Sequence, residues 1–227
     1  MTVPITIFNI LLTAGAYLAG RKIYARFPTP FTTPVFFCIV VIITIFSISG
    51  IDYNDYKPAK DFISFFLGPA TIALAVPLYK NREIIRKFAV PALCGIIFGL
   101  AVTLFTAILI GKAFFLSFVM LQALAVKSVT VPIAIEIMDI NGGDQNITAS
   151  FVILTGVLGT MLAPWIMDKI HIKDPFSRGI AYGTIAHGLG TAQASQESEF
   201  TGAVAGAAMA IAGIVISLVY PMIQHLL

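Results

Sequence analysis

Five stretches of this chain, 4–20, 34–50, 89–110, 147–167 and 202–223, each run for 17 to 22 residues without a charged side chain. A helix of roughly 20 apolar residues crosses the hydrocarbon of a bilayer. One water-soluble core cannot hide so many runs, because a soluble fold must cover its surface with polar groups. Only 11% of the 227 residues are charged and 58% are hydrophobic, against about 25% and about 45–50% in soluble domains. The sequence predicts one all-α, polytopic membrane domain over 1–227, punctuated by charged residues.

Three further apolar stretches are irregular. Segment 62–79 contains Gly68, Pro69 and Pro77; 113–135 is interrupted from Lys127 to Pro132; 180–194 has glycines at 183, 188 and 190 around His187. Proline removes a backbone donor and glycine weakens a helix, so these stretches should break or unwind. Unwound backbone is tolerated at membrane depth only where protein or a water-filled cavity satisfies it. A binding site is expected there.

Charge asymmetry orients the spans. Residues 21–26 carry three basic groups, and 80–87 carry four basic and one acidic. Both are expected in the cytoplasm, with the acidic 52–61 between them outside and the N-terminus outside. Basic residues follow the stretch 4–20 instead of preceding it, the order of a retained first helix. In the second half, 136–144 and 197–199 are acidic and expected outside, with 168–178 and the C-terminus inside. If Lys112 and Glu136 are both outside, 113–135 enters and returns as a hairpin with Lys127 near its tip. The remaining spans then form two triplets of opposite orientation, 34–110 and 147–223, each with one broken middle element. Gly68 and Leu74 echo Gly183 and Leu189 at an offset of 115. Inverted repeats with paired Gly/Pro-interrupted segments mark the site of a secondary transporter.

Lys127 has apolar sequence on both sides for about ten residues, and an ionised group at mid-membrane costs about 2.5–3.5 kcal/mol on insertion scales. Beside it, Ser128 and Thr130 offer hydroxyls, and Pro132 suits the first turn of a new half-helix. A helix N-terminus next to an ammonium is a carboxylate receptor. The alternatives are a lysine that snorkels to an interface or pairs with Glu136. His187, with Gly188, Gly190 and Thr191 after it, could bind an anion or carry a proton; the competing role is a ring satisfied by backbone carbonyls. Thr184 is a weaker candidate, since threonine commonly bonds back to its own helix. Gly68, Pro69 and Thr71 form the matching element of the first half, as a half-helix opening on the same cavity or as a packing kink. The run 202–208 reads as helix packing.

Cys38 and Cys94 lie in apolar segments without metal-ligand spacing, and no metal or cofactor is implied. Sequence motifs for hydrolases, zinc proteases and nucleotide-binding loops are absent, so an enzyme is not expected. The basic residues are split among separate loops, which gives nucleic acid no footprint.

Three segments carry a family resemblance: Phe66-Leu67-Gly68-Pro69-Ala70-Thr71, continuing to Tyr79; Lys127-Ser128-Val129-Thr130-Val131-Pro132-Ile133-Ala134; and the residues 183–192. In this order over nearly the whole chain they resemble the LrgB/CidB family. The resemblance implies a bacterial cell-membrane protein, usually paired with a smaller LrgA/CidA-type membrane protein. Two roles attach to it: antiholin- or holin-like control of murein hydrolase activity and lysis, and transport of small monocarboxylates such as pyruvate or glycolate. The family pattern has proline at Val126, threonine at Val131 and serine at Ala186, so two hydroxyls are missing here. The combined expectation is a carrier for a small carboxylate anion, held around Lys127, Ser128 and Thr130 in the lipid bilayer. The alternative is a regulator of lysis acting with the LrgA/CidA-type partner; assembly of like chains is left open.

Overall fold

The computed structural model describes residues 2–66, 69, 72, 79, 80 and 82–227. Among these residues the structure is all-α, and four helices are long and apolar enough to cross a membrane. The chain divides into two compact units, Met1–Ala75 and Val76–Leu227.

In the first unit, α1 (Thr2–Arg26) continues through Arg21, Lys22 and Arg26. The first basic group thus forms the last turns of a helix, where cations complement its dipole. Pro34 opens α2 (Pro34–Ser49), and Gly50 closes it in the left-handed conformation at φ +68°. Gly20 lets α1 meet α2 closely; a Cβ there would lie 3.1 Å from the Pro34 backbone. Asp52 caps α3 (Tyr53–Phe65). The buried Asn9 amide ties α1 to α3 by donating to the Asp55 carbonyl at 3.0 Å.

The second unit contains α4 (Arg82–Lys87), α5 (Ala89–Ala113), α6 (Phe118–Ala125), α7 (Val131–Asn141), α8 (Gln145–Lys169), α9 (Pro175–Glu197) and α10 (Glu199–Ile223). Helices α5, α8 and α10 have 25 residues each, about 37 Å at 1.5 Å per residue. Between them lie two helical hairpins.

The first is α6 and α7. The hydroxyl of Tyr220, a residue 1% exposed, meets both the Gln122 side chain and the Met138 sulfur, the latter at 3.9 Å. Were α6 and α7 collinear, Gln122 and Met138 would stand about 24 Å apart. One hydroxyl reaches both because the chain reverses at 126–130.

The second is α9 itself. His187 interrupts it with φ +42° and ψ −128°, and the following turn folds back so closely that Gly190 has no room for a Cβ beside the Tyr182 carbonyl. At the mouth, Arg178 donates to both oxygens of Glu197 at 2.6 and 2.7 Å, to Asp168 at 2.7 Å and to the Ile172 carbonyl at 3.0 Å. Tyr182 adds a bond to Glu197 at 2.6 Å. In a continuous helix, residues 178 and 197 would be about 28 Å apart.

The hairpins enter from opposite ends. Along α10, Thr201 and Val204 face Gly179, Met209 lies 3.8 Å from Thr191, Gly213 faces Ile133, and Tyr220 meets Met138. Both tips therefore arrive near the middle of α10. This corrects the charge parity of the second half. Segments 168–178 and 197–199, expected on opposite faces, are joined by the Arg178–Glu197 ion pair. The end of α10 likewise shares a face with 136–144 instead of lying opposite. Parity assumes that each apolar segment crosses, and 180–194 turns back at His187. Residues 67, 68, 70, 71 and 73–78, including Gly68, Thr71 and Leu74 of the proposed matching element, lie outside the described residues.

Cysteines at positions 112, 139 and 225 should react with an impermeant thiol reagent from one face, and those at 173 and 199 from the other. Reaction of 173 and 199 from opposite faces would refute the second hairpin.

Candidate functional site at the hairpin tips

The first tip is shaped by what it buries. Val126 and Val129, 0% and 1% exposed, turn inward and belong to the main apolar core. Lys127, between them, is left partly buried. Its ammonium donates to the Ser128 hydroxyl at 3.3 Å and enters no ion pair among the described residues. The pairing with Glu136 that the sequence left open does not form. Thr130 is the N-cap of α7, with φ −70° and ψ 151°, but its side chain caps nothing. Val131 and Ile133 consequently point first-turn N–H groups out of the helix with no intrahelical acceptor, while Pro132 has none to offer. Pro132 itself is exposed.

The second tip is held by α8. His187 is 4% exposed, and its Nε2 lies 3.0 Å from the Val152 carbonyl. A carbonyl only accepts, so Nε2 carries the hydrogen and Nδ1 of the neutral ring is left as an acceptor. The ring reaches α8 because Gly156 is there; a Cβ would stand 2.7 Å from Cε1 and 2.8 Å from Nε2. One turn on, Gly159 makes the same room for Ala186, where a Cβ would lie 2.6 Å from the alanine methyl. Thr191, 3% exposed, donates back to the His187 carbonyl at 2.9 Å. Gly190 is buried at the fold-back, and Gly188 is exposed, its nearest neighbour the Met209 sulfur at 4.0 Å. A left-handed backbone at a non-glycine residue costs about 1–3 kcal/mol and persists only where packing over-determines it. Here the notch of Gly156 and Gly159 supplies that packing.

The structure thus brings Lys127, Ser128 and Thr130 to one tip and His187 and Thr191 to the other, with Lys127 within electrostatic reach of His187. Thr184 and Thr148, 2% and 0% exposed, hold buried hydroxyls with no hydrogen-bond partner among the described residues. Pro69 is helical and exposed in the other unit. Sequence reasoning missed Val152 and Gly156, since a carbonyl leaves no sequence signal and a glycine in an apolar helix looks like any packing glycine. It also missed Arg178, which it counted as a loop charge.

A model of the LrgB-like family matches residues 13–226. The chain belongs to the LrgB-like family. Among its relatives, YxaC of Bacillus subtilis (strain 168) is 35% identical over 98% of this chain and 96% of its own length. The antiholin-like protein LrgB of the same strain is 32% identical over 97% and 96%. The holin-like protein CidB of Staphylococcus aureus (strain Mu50 / ATCC 700699) is 29% identical over 94% and 93%. No solved structure matches the chain. As a member of the LrgB-like family with four long apolar helices, it is a multi-pass membrane protein.

The notch gives a test. Alanine normally favours a helix interior by about 1 kcal/mol over glycine, yet Gly156→Ala should lower the thermal midpoint in detergent, because overpacking costs about 1–3 kcal/mol. Gly188→Ala, whose new methyl would meet only the Met209 sulfur at an ordinary contact distance of 4.0 Å, should leave it nearly unchanged. Equal behaviour of the two variants would remove the notch as the support of His187.

Proposed function

We propose that this LrgB-like protein is a membrane carrier for small monocarboxylates of the pyruvate, lactate and glycolate class. The observation that carries the proposal is the ammonium of Lys127, which sits at a hairpin tip inside the unit and has no carboxylate partner there. A buried charge without a partner is costly, and a bound carboxylate supplies one. The uncapped first turn of α7 adds two N–H donors and the positive end of a helix dipole. Ser128 and Thr130 contribute hydroxyls to the same anion, and His187, Gly188, Gly190 and Thr191 close the cavity from the opposite tip. Pro132 fixes the start of α7. Positive-inside counting assigns the face of residues 80–87 to the cytoplasm and the C-terminal end of α10 to the outside.

The second reading is an antiholin- or holin-like regulator of murein hydrolase activity and lysis, acting with an LrgA/CidA-type partner. The names of two relatives, antiholin-like and holin-like, fit this reading more closely than the first. The two differ in what Lys127 is for. Uptake of radiolabelled pyruvate, lactate and glycolate into proteoliposomes decides between them. A charge-assisted hydrogen bond is worth about 1.5–3 kcal/mol, so Lys127→Ala should raise KM by about ten- to a hundredfold. Uptake indifferent to Lys127→Ala would overturn the carrier mechanism. An autolysis phenotype that survives the same substitution would support the regulator.

A further inference from the structure

The seam between α5 and the first arm of the second hairpin is built differently from the hairpin's other contacts. Against α10, Gly183 meets the Ala205 backbone so closely that a Cβ would collide with it, and against α8 the notch of Gly156 and Gly159 is filled. Against α5 the contacts are ordinary. Gly95 faces Ile180, with a Cβ position 3.9 Å from its Cγ2, and Gly99 faces Thr184 at 3.6 Å. These pairs advance together by one turn along both helices. At the mouth of the seam lies a cavity of about 670 Å³, whose lining includes Phe88, Pro91, Gly95, Asp174, Phe176 and Ile180. The seam runs inward from this cavity past Gly99 to Thr184, three residues before His187.

Two further observations concern what could occupy it. Thr184 is 2% exposed, and its hydroxyl has no partner among the described residues, a state that costs about 1–3 kcal/mol unless something polar visits it. The cavity is also joined to a basic segment of the chain: α4 ends in Arg86 and Lys87, and the Lys87 ammonium stands 5.8 Å from the ring centre of Phe88. Local positive potential concentrates small anions at such a mouth. Asp174 is engaged as the cap of α9, its carboxylate accepting from the Ser177 hydroxyl at 2.7 Å and the Ser177 N–H at 2.8 Å.

We propose that this seam is an aqueous entry path by which a small organic anion reaches the hairpin tips from the face carrying α4, with Thr184 as its first buried polar contact. The ligand rests on the carrier reading above; the path does not. In a Cys38→Ala, Cys94→Ser background, Gly99→Cys is treated after folding with a charged, membrane-impermeant methanethiosulfonate, in vesicles of both orientations. Ile97→Cys, on the outward-facing surface of α5, serves as the lipid-facing control. The Gly99→Cys thiol should react from the α4 face only, saturating lactate should slow that reaction at least fivefold, and the modified protein should lose uptake. The Ile97→Cys thiol should react only with a lipophilic maleimide. If the thiol at position 99 reacts only with the maleimide, the groove holds lipid chains, and if it reacts with neither reagent, the seam is closed; each result overturns the path. Labelling at position 99 without protection by any monocarboxylate, together with absent uptake, would uphold the path and overturn the carrier reading instead. Thr184→Val should raise KM about three- to tenfold with labelling at position 99 unchanged, and Thr184→Ser should restore it; an unchanged KM would remove Thr184 from the path.

Discussion

A helix that reverses direction inside a membrane leaves N–H and C=O groups that lipid cannot satisfy, and the second unit is organised around that constraint. Its two reversals, at 126–130 and at His187, bury Val126, Ser128, Val129 and His187 in protein. Val126 and Val129 carry the first into the apolar core, and α8 receives the second in a glycine notch. The long helices α5, α8 and α10 supply the protein walls that irregular backbone needs at this depth. Shielding has a consequence for chemistry. Groups freed from helical hydrogen bonding, the uncapped first turn of α7 above all, are concentrated at the two tips.

Two kinds of polar residue accompany the reversals, and they are used differently. At the mouth of the second hairpin Arg178 is fully committed to Glu197, Asp168 and the Ile172 carbonyl. Replacing a buried ion pair by apolar residues is often neutral or stabilising, so net stability is a weak reason to keep it. Geometry is a stronger one: a bidentate pair across two arms admits one register. At the tips, by contrast, Lys127 holds only a neighbouring hydroxyl, and Thr184 holds nothing. A saturated clasp beside an unsaturated tip is the arrangement expected when one part of a hairpin is structural and the other meets a ligand.

Much of this is legible in the residues alone. The five uncharged runs announce the membrane, and the breaks at Lys127 and His187 are visible as charge, glycine and proline out of place. Charge counting fails at 168–199 for an identifiable reason. It treats Arg178 and Glu197 as markers of opposite faces, but an Arg–Glu pair separated by 19 residues of chain can equally be the two sides of one hairpin mouth. The snorkelling and pairing alternatives for Lys127 are equally open in the sequence. The fold settles the matter for Glu136: the Lys127 ammonium meets the Ser128 hydroxyl and no carboxylate among the described residues.

The sequence by itself determined the solvent, the helical class and the places where helices must break, because these follow from local composition and period, and its three motif segments carried the family resemblance. Only the tertiary structure decided which breaks reverse the chain, which hydroxyls are left without partners and which carbonyl holds the histidine. Those outcomes depend on distances between residues remote in sequence, such as Val152 from His187 and Gln122 from Tyr220. Hydropathy and charge counts record how deep a residue prefers to sit, and carry nothing about which neighbour it meets there.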